Sequence, residues 1–174
     1  YDDAQLYAHG RGWNAERLIT EALASFAAHA PADALVVIKQ HPLNTGYRDF
    51  APLIRKTAAR LGVMDRLLYL QNGNQLELLS HARGLVTINS TMGLAAMGYG
   101  CPVLALGDCF YALPGLAVEA EGVETLDAFW SSPPAVDSRL YARFRAHILA
   151  QTQINGDFYL RASWPGLMEN ALER

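Results

Sequence analysis

The sequence predicts an α/β fold, in which helices flank a parallel sheet. Short apolar runs alternate with segments of helical periodicity, in the order strand, helix, strand, helix, strand, helix, strand. Each of the four apolar runs is followed by polar or glycine-containing residues, as is typical of loops at the carboxyl edge of a parallel sheet. The 174 residues are sufficient for one domain with a core of its own.

The first half of this pattern contains a long helix, two strands and a helix between the strands. Apolar residues at helical spacing predict a helix over residues 14–29, and the apolar run 35–38 predicts a buried strand. A second helix is predicted over residues 51–60, because Gly62 can close its last turn. Residues 66–70 predict the next strand.

The second half repeats the alternation. Asn74 and Glu77 form an Asn-x-x-Glu pattern, which is typical of the first turn of a helix. Residues 85–88 and 103–106 predict the third and fourth strands, and small residues over 91–99 predict the helix between them. Beyond Pro114 the pattern weakens, and the segments predicted there are helices over 124–130 and 138–151, a turn at Asn155-Gly156 and a helix from Trp164.

These elements predict a single domain over residues 1–174. Its core spans about residues 34–113, and a helical extension spans 123–174. The chain begins with Tyr1 rather than Met, so we expect a piece of a longer protein or a mature form. If the chain is a piece, part of the active site is expected to be missing.

Composition and charge exclude several functional classes. The net charge is −3 and there is no basic block, so binding to nucleic acid by bulk electrostatics is not expected. No apolar run is long enough to span a bilayer, and no signal peptide is visible in these 174 residues. Cys101 and Cys109 lie in apolar surroundings and are interpreted as thiols in a reducing compartment. The histidines and cysteines lack metal-ligand spacing, so no metal site is predicted.

The loops predicted at the carboxyl edge suit an anionic, hydroxylated ligand. The sequence contains no Gly-x-Ser-x-Gly elbow, no P-loop and no Gly-x-Gly-x-x-Gly after the first strand, so these loops carry the prediction alone. They comprise residues 39–42, 71–74, 89–93 and 107–111.

Two basic side chains follow the first strand. His41 can donate to a phosphate or sugar oxygen, and Pro42 fixes the chain that leaves it. The alternative for His41 is a hydrogen bond to a nearby carbonyl. Lys39 is either a phosphate partner or a solvated charge at the end of the strand.

Hydroxyl groups and a glycine follow the third strand. Ser90 and Thr91 can bond phosphate oxygens at the start of the next helix, or they can cap the backbone N–H groups of that helix. Gly93 permits close approach of the backbone to a ligand, or close packing of the helix.

Five other residues have a local explanation beside the functional one. Asn72 and Gly73 contact the ligand or only form a turn, and Glu77 is explained by helix capping. Asp108 binds a ribose hydroxyl or is a loop charge, and Tyr111 stacks on a base or packs internally.

Four segments of the chain together resemble a known family. They are Val-Val-Ile-Lys-Gln-His-Pro (36–42), Thr-Ile-Asn-Ser-Thr-Met-Gly-Leu-Ala-Ala (87–96), Gly-Cys-Pro-Val-Leu-Ala-Leu-Gly (100–107) and Gln-Ile-Asn-Gly-Asp-Phe-Tyr (153–159). The chain resembles the capsule polysaccharide biosynthesis and export proteins of Gram-negative bacteria. The His-Pro and Ser-Thr elements are also found in sialyltransferase-like enzymes that use CMP-sugars. The resemblance therefore depends on all four segments occurring in this order.

The resemblance implies a cytoplasmic glycosyltransferase, peripheral to the inner membrane, that uses CMP-Kdo and builds a Kdo linker on a lipid acceptor. It implies that residues 1–174 are a single nucleotide-sugar-binding lobe, the Rossmann-like C-terminal lobe of a two-lobe, GT-B-type enzyme. The CMP-sugar would be the substrate, and no cofactor is expected. It assigns His41, Ser90 and Thr91 to the donor phosphate, and places the loop after the fourth strand near the nucleotide. Contact with inner-membrane capsule assembly proteins is also implied.

The resemblance further implies that a second lobe binds the lipid or glycan acceptor and supplies a catalytic carboxylate. The parent protein is then expected to be an enzyme, whereas catalysis by this chain alone stays open. Two alternatives also stay open. One is the lobe of a UDP-sugar epimerase or transferase, and the other is a non-catalytic scaffold in capsule export.

Overall fold

The computed structural model describes residues 4–41 and 48–152. The chain divides into two compact units, Tyr1–Asp137 and Ser138–Arg174. The described helices are α1 (Ala4–His9), α2 (Ala15–His29), α3 (Ala51–Leu61), α4 (Gln75–His81), α5 (Met92–Gly98), α6 (Val123–Ser131) and, in the second unit, α7 (Ser138–Thr152). The described strands are β1 (Val36–Lys39), β2 (Leu67–Leu70), β3 (Leu85–Thr87), β4 (Val103–Ala105) and β5 (Val118–Glu119), and a 3-10 helix, Met64–Arg66, precedes β2.

All pairing among the described strands is parallel, which confirms the predicted α/β class and fits a Rossmann-like architecture. The single predicted sheet is wrong in one respect, because the strands form two sheets. Strand β1 pairs with β2, while β4 lies between β3 and β5. The hydrophobic pattern identifies strands but not the strands with which they pair. The division into two sheets could therefore not be predicted from the sequence.

Each sheet has its own hydrophobic cluster, and α2 contacts both. Ile19, Leu23 and Phe26 of α2 pack against β1 and α3, with Leu23 fully buried. On the other side, Leu18 and Ala22 of the same helix pack against the cluster around β4 and α6. Helix α2 therefore joins the two sheets through its apolar residues.

A buried polar link fixes α2 to α6. The indole Nε1 of Trp130 donates to Ser25 Oγ at 2.8 Å, and Ser25 in turn donates to the carboxylate of Asp127. His29 Nε2 lies 3.5 Å from the other oxygen of that carboxylate. The serine hydroxyl bonds the carboxylate and not the imidazole, so this group is a helix–helix contact rather than a catalytic triad.

One arginine holds the connection between α2 and β1. Arg66 donates from Nε to the carbonyl of Ala34 at 3.0 Å and from a terminal nitrogen to the carbonyl of Pro31 at 2.8 Å. Its guanidinium also lies 4.5 Å from the centre of the Phe26 ring. These contacts satisfy loop carbonyls at the amino end of the first sheet.

Candidate functional site

The carboxyl edge of the first sheet brings two of the predicted loops together. Lys39 is paired in register with Leu70, so the residues after β1 and after β2 leave the sheet side by side. The ladder continues one residue further, since the Gln40 N–H donates to the carbonyl of Leu70 at 2.8 Å. Tyr69 supports the corner by donating its hydroxyl to Gln40 Oε1 at 2.5 Å.

An open depression of about 440 Å³ lies at this edge, lined by Lys39 and residues 71–76. Lys39 is half-buried, and its ammonium group donates to the carbonyl of Gln40 at 3.3 Å. Asn72 and Gly73 are exposed members of the lining. The structure therefore groups Lys39 with the loop after β2, as the parallel arrangement predicts.

The start of α4 explains two of the polar residues in this loop. Asn74 caps the helix, because its side-chain oxygen accepts from the N–H groups of Leu76 at 3.0 Å and Glu77 at 3.4 Å. The capping role predicted for Asn74 is confirmed. The exposed side chain of Glu77 lies 3.4 Å from His81 Nε2.

His41, two residues after the end of β1, is exposed. Pro42, which was expected to fix the chain after His41, lies outside the described residues, as do Asn155-Gly156 and the predicted helix from Trp164. The phosphate role of His41 stays a prediction, and so does its meeting with Ser90 and Thr91.

The loops after β3 and β4 are tied to each other by short contacts. The Gly107 N–H donates to the carbonyl of Ile88 at 2.9 Å, and the Cys109 thiol lies 3.5 Å from that same oxygen. Tyr111 donates its hydroxyl to the carbonyl of Ser90 at 2.5 Å. Ser90 and Tyr111 are therefore neighbours, as their positions after adjacent strands predict.

The two hydroxyl residues after β3 have different environments. Ser90 Oγ accepts from the N–H of Met92 at 3.2 Å, so this hydroxyl has the capping role. Thr91 is exposed and occupies the N-cap position of α5, where its side chain makes no capping hydrogen bond within the described chain. Of the two hydroxyls, that of Thr91 is thus the more available to a ligand.

Gly93 is required by packing against Tyr111. A Cβ atom at Gly93 would lie 2.5 Å from both the Cζ and the hydroxyl oxygen of Tyr111, whose side chain is fully buried. The buried ring leaves no face open to a base in this structure. Burial also raises the pKa of the Tyr111 hydroxyl, so it remains a neutral hydrogen-bond donor.

Sequence reasoning missed Arg11, which contacts the ends of two strands. Its guanidinium forms ion pairs with Asp108, after β4, and with Glu119, the last residue of β5. The hydrogen bonds that Arg11 donates to these carboxylates raise its pKa. The glycines on either side of Arg11 were the available signal, because they indicate an unusual backbone turn.

The described residues include no group of three or more His, Cys, Asp or Glu side chains that could hold a metal ion. Cys101 is buried and its pKa is raised to about 11 by burial, so it is a protonated thiol near neutral pH. Burial also raises the pKa of Cys109. Across residues 4–41 and 48–152, no helix combines the length and apolarity needed to cross a membrane.

Comparison with known proteins identifies the family. Residues 1–159 match the family described as "Capsule polysaccharide biosynthesis protein". The chain is 34% identical over 159 residues to the capsule polysaccharide export protein KpsS of Escherichia coli, covering 91% of this chain and 40% of the relative. It is also 34% identical over 169 residues to the capsule polysaccharide modification protein LipB of Neisseria meningitidis serogroup A, covering 95% of this chain and 39% of the relative.

A more distant relative is the protein FixF of Sinorhizobium fredii, which is 30% identical over 102 residues that cover 59% of this chain and 23% of that protein. No solved structure gives a significant match. The chain thus spans about 40% of the length of the capsule relatives it matches. It belongs to the capsule polysaccharide biosynthesis family.

Proposed function

We propose that this member of the capsule polysaccharide biosynthesis family is the donor-nucleotide lobe of a glycosyltransferase. The parent protein would transfer Kdo from CMP-Kdo during capsular polysaccharide assembly or export. The chain would be the C-terminal, GT-B-type lobe, and the remainder of a longer protein would bind the lipid or glycan acceptor. The coverage of about 40% of the capsule relatives supports a further lobe.

The observation that carries the proposal is that polar loop residues follow the carboxyl ends of parallel strands in both sheets. Lys39 lies beside an open depression with Asn72, and Ser90 and Thr91 follow β3. Ligands of open α/β folds bind at this edge, outside the strand ends. A cation with amide and hydroxyl donors suits an anionic, hydroxylated ligand such as a nucleoside monophosphate.

In transfer from CMP-Kdo, the bond between the sugar carbon and the phosphate oxygen breaks and CMP leaves. Negative charge grows on the phosphate, so donors that contact it bind the transition state more tightly than the ground state. In this proposal Lys39, His41, Ser90 and Thr91 supply those donors. Each hydrogen bond to the charged phosphate would contribute roughly 1.5–3 kcal/mol. The reacting carboxylate would come from the acceptor lobe.

Calorimetric titration of the purified protein with CMP and with UDP tests the proposal. We expect CMP to bind more tightly than UDP. The variants His41→Ala and Thr91→Ala should each weaken CMP binding by about tenfold, the effect of losing roughly 1.4 kcal/mol. His81→Ala is the matched control, because this exposed histidine at the end of α4 lies 3.4 Å from the surface carboxylate of Glu77 and away from the predicted phosphate contacts.

Three outcomes would contradict the proposal in different ways. Preference for UDP would favour the lobe of a UDP-sugar epimerase or transferase. Absence of heat with either nucleotide would favour a non-catalytic scaffold in capsule export. Equal weakening by His41→Ala and His81→Ala would remove the assigned role of His41. Release of CMP from CMP-Kdo by the parent protein would test the transfer itself.

A further inference from the structure

A second cavity, of about 490 Å³, lies at the carboxyl ends of β4 and β5. Its lining includes Arg11, Trp13, Leu106, Glu119 and Glu121. Leu106 directly follows β4 and Glu119 ends β5, so this cavity occupies the edge at which ligands of parallel sheets bind. A cavity of this volume accommodates a small ligand.

The carboxylates at this cavity are oriented and remain accessible. Arg11 bridges Asp108 and Glu119, and the side chains of the three residues are 43%, 47% and 44% exposed. A carboxylate can accept about four hydrogen bonds, so one guanidinium contact leaves capacity for ligand hydroxyls. The ion pairs with Arg11 therefore orient the carboxylate oxygens but leave them accessible to a ligand.

The backbone that presents Arg11 is held in an uncommon conformation. Arg11 has a φ of 49°, in the left-handed region that side chains other than glycine rarely adopt. A Cβ atom at the preceding Gly10 would lie 2.3 Å from the carbonyl of Leu6, and one at Gly107 would lie 2.6 Å from the carbonyl of His9. These close backbone approaches fix the loop against the end of β4.

Apolar side chains form part of the other wall. Trp13 is only 8% exposed, with the guanidinium of Arg17 lying 4.1 Å from its ring centre, and Leu106 is buried. The two arginines are balanced by carboxylates, since Arg17 donates to Glu21 at 2.7 Å and Arg11 contacts Asp108 and Glu119. This balance does not favour a phosphate, and the guanidinium between the carboxylates does not favour a cation.

We propose that this cavity binds the vicinal diol of a sugar ring. Glu119 and Glu121 accept hydrogen bonds from neighbouring hydroxyls, Arg11 positions Glu119, and the apolar wall contacts the carbon face of the ring. Two sources supply this chemistry, the ribose of a nucleotide or a saccharide ring. The assignment depends on the proposed function only for the nucleotide source.

The nucleotide source is tested by comparing CMP with 2′-deoxy-CMP in calorimetry of the purified protein. If the cavity binds ribose, the wild-type protein prefers CMP by about tenfold, the effect expected from a hydrogen bond to a charged acceptor. The variants Glu119→Gln and Glu121→Gln should reduce this preference to about equal binding. Asp65→Asn is the matched control, because this exposed carboxylate precedes β2, a strand of the other sheet.

The saccharide source is tested by adding D-ribose, D-mannose and D-galactose, each of which carries a cis diol. The readout is the indole N–H signal of Trp13 in a nitrogen–proton correlation spectrum, identified with the variant Trp13→Phe. If a saccharide binds, at least one sugar shifts this signal, and Glu119→Gln raises the concentration needed by about tenfold. CMP and 2′-deoxy-CMP would then bind equally.

Failure of the proposed function and failure of the diol assignment are distinguishable. Loss of all nucleotide binding would overturn the proposed function, while the saccharide titration would still decide the cavity. The diol assignment is overturned if CMP and 2′-deoxy-CMP bind equally and none of the three sugars shifts the Trp13 signal. It is also overturned if both glutamine variants fold, by circular dichroism, and bind every probe as the wild type does. Glu121→Gln leaves the contact between Arg11 and Glu119 in place, so it separates recognition from folding.

Discussion

The two sheets end differently at their carboxyl edges. After β1 and β2, polar side chains surround an open depression, with Lys39 half-buried and Asn72 exposed. After β3 and β4, the fully buried Tyr111 packs against Gly93 and bonds the carbonyl of Ser90. The loops of the two sheets have similar polar and glycine content. Those after β1 and β2 mainly face solvent, whereas those after β3 and β4 mainly pack against each other.

The largest expected effect comes from removing the buried ring at the packed edge. Tyr111→Ala should lower the free energy of unfolding by about 3–5 kcal/mol, because it leaves a cavity and removes a hydrogen bond. Urea denaturation measures this loss. Tyr99→Ala, at a residue that is 51% exposed, is the control and should change the free energy of unfolding far less. Similar losses of unfolding free energy in the two variants would contradict the internal packing of Tyr111.

The next effect comes from adding one carbon at that edge. Gly93→Ala should cost about 1–3 kcal/mol of unfolding free energy, because its Cβ would overlap the Tyr111 ring. Thermal melting provides the measurement, with the exposed Gly98→Ala in the same helix as its control. If Gly93→Ala melts at or above the wild-type temperature, the ring is not rigidly packed.

Burial of Cys101, which precedes β4, predicts that stability depends on pH. Its pKa is raised from about 9 to about 11 in the folded protein, so folding favours the protonated thiol. This contribution to stability is fully present below pH 9 and is lost as pH rises toward 11. Stability curves of the wild type and of Cys101→Ala should therefore converge over this interval. Parallel curves would show that the thiol is not buried.

A smaller effect is expected at the open edge. Asn74→Ala removes the cap of α4 and should cost about 0.5–2 kcal/mol of unfolding free energy. Ser80→Ala is the control, because the exposed Ser80 hydroxyl only donates to the carbonyl of Glu77 at 2.8 Å in the same helix. Equal urea midpoints for the two variants would argue against the cap.

The smallest effect on folding is expected for Lys39. Lys39→Ala should change the free energy of unfolding by no more than about 0.5 kcal/mol, while weakening CMP binding by about tenfold. Paired urea denaturation and calorimetry separate the two quantities. A large loss of stability without a change in CMP affinity would make Lys39 a structural residue. The edge after β1 and β2 would then also serve internal packing.

The sequence predicted the local elements well because they depend on nearby residues. The first four strands lie within about one residue of their predicted bounds, since each is a short apolar run closed by polar residues. The fifth strand, Val118–Glu119, has only two residues, and its identity depends on pairing with β4. Helix α1 (Ala4–His9) was missed because six residues give little periodic signal.

The site was predictable to the level of loops but not of side-chain partners. The alternatives for Ser90 and Gly93 were named from sequence, whereas only the structure shows that Ser90 caps α5 and that Gly93 packs on Tyr111. Arg11 was missed because Asp108 lies 97 residues further along the chain. Such partnerships arise from the tertiary fold, and a single sequence carries no direct signal for them.

The link between Ser25 and α6 has a consequence for dissecting the chain. Shortened versions that stop after β4 would remove Asp127 and Trp130, which are the hydrogen-bond partners of Ser25. They would also uncover the apolar surface of α2 that Leu126 and Phe129 cover. The smallest piece that folds on its own is therefore expected to extend at least through Ser131, well beyond the loops that follow β3 and β4.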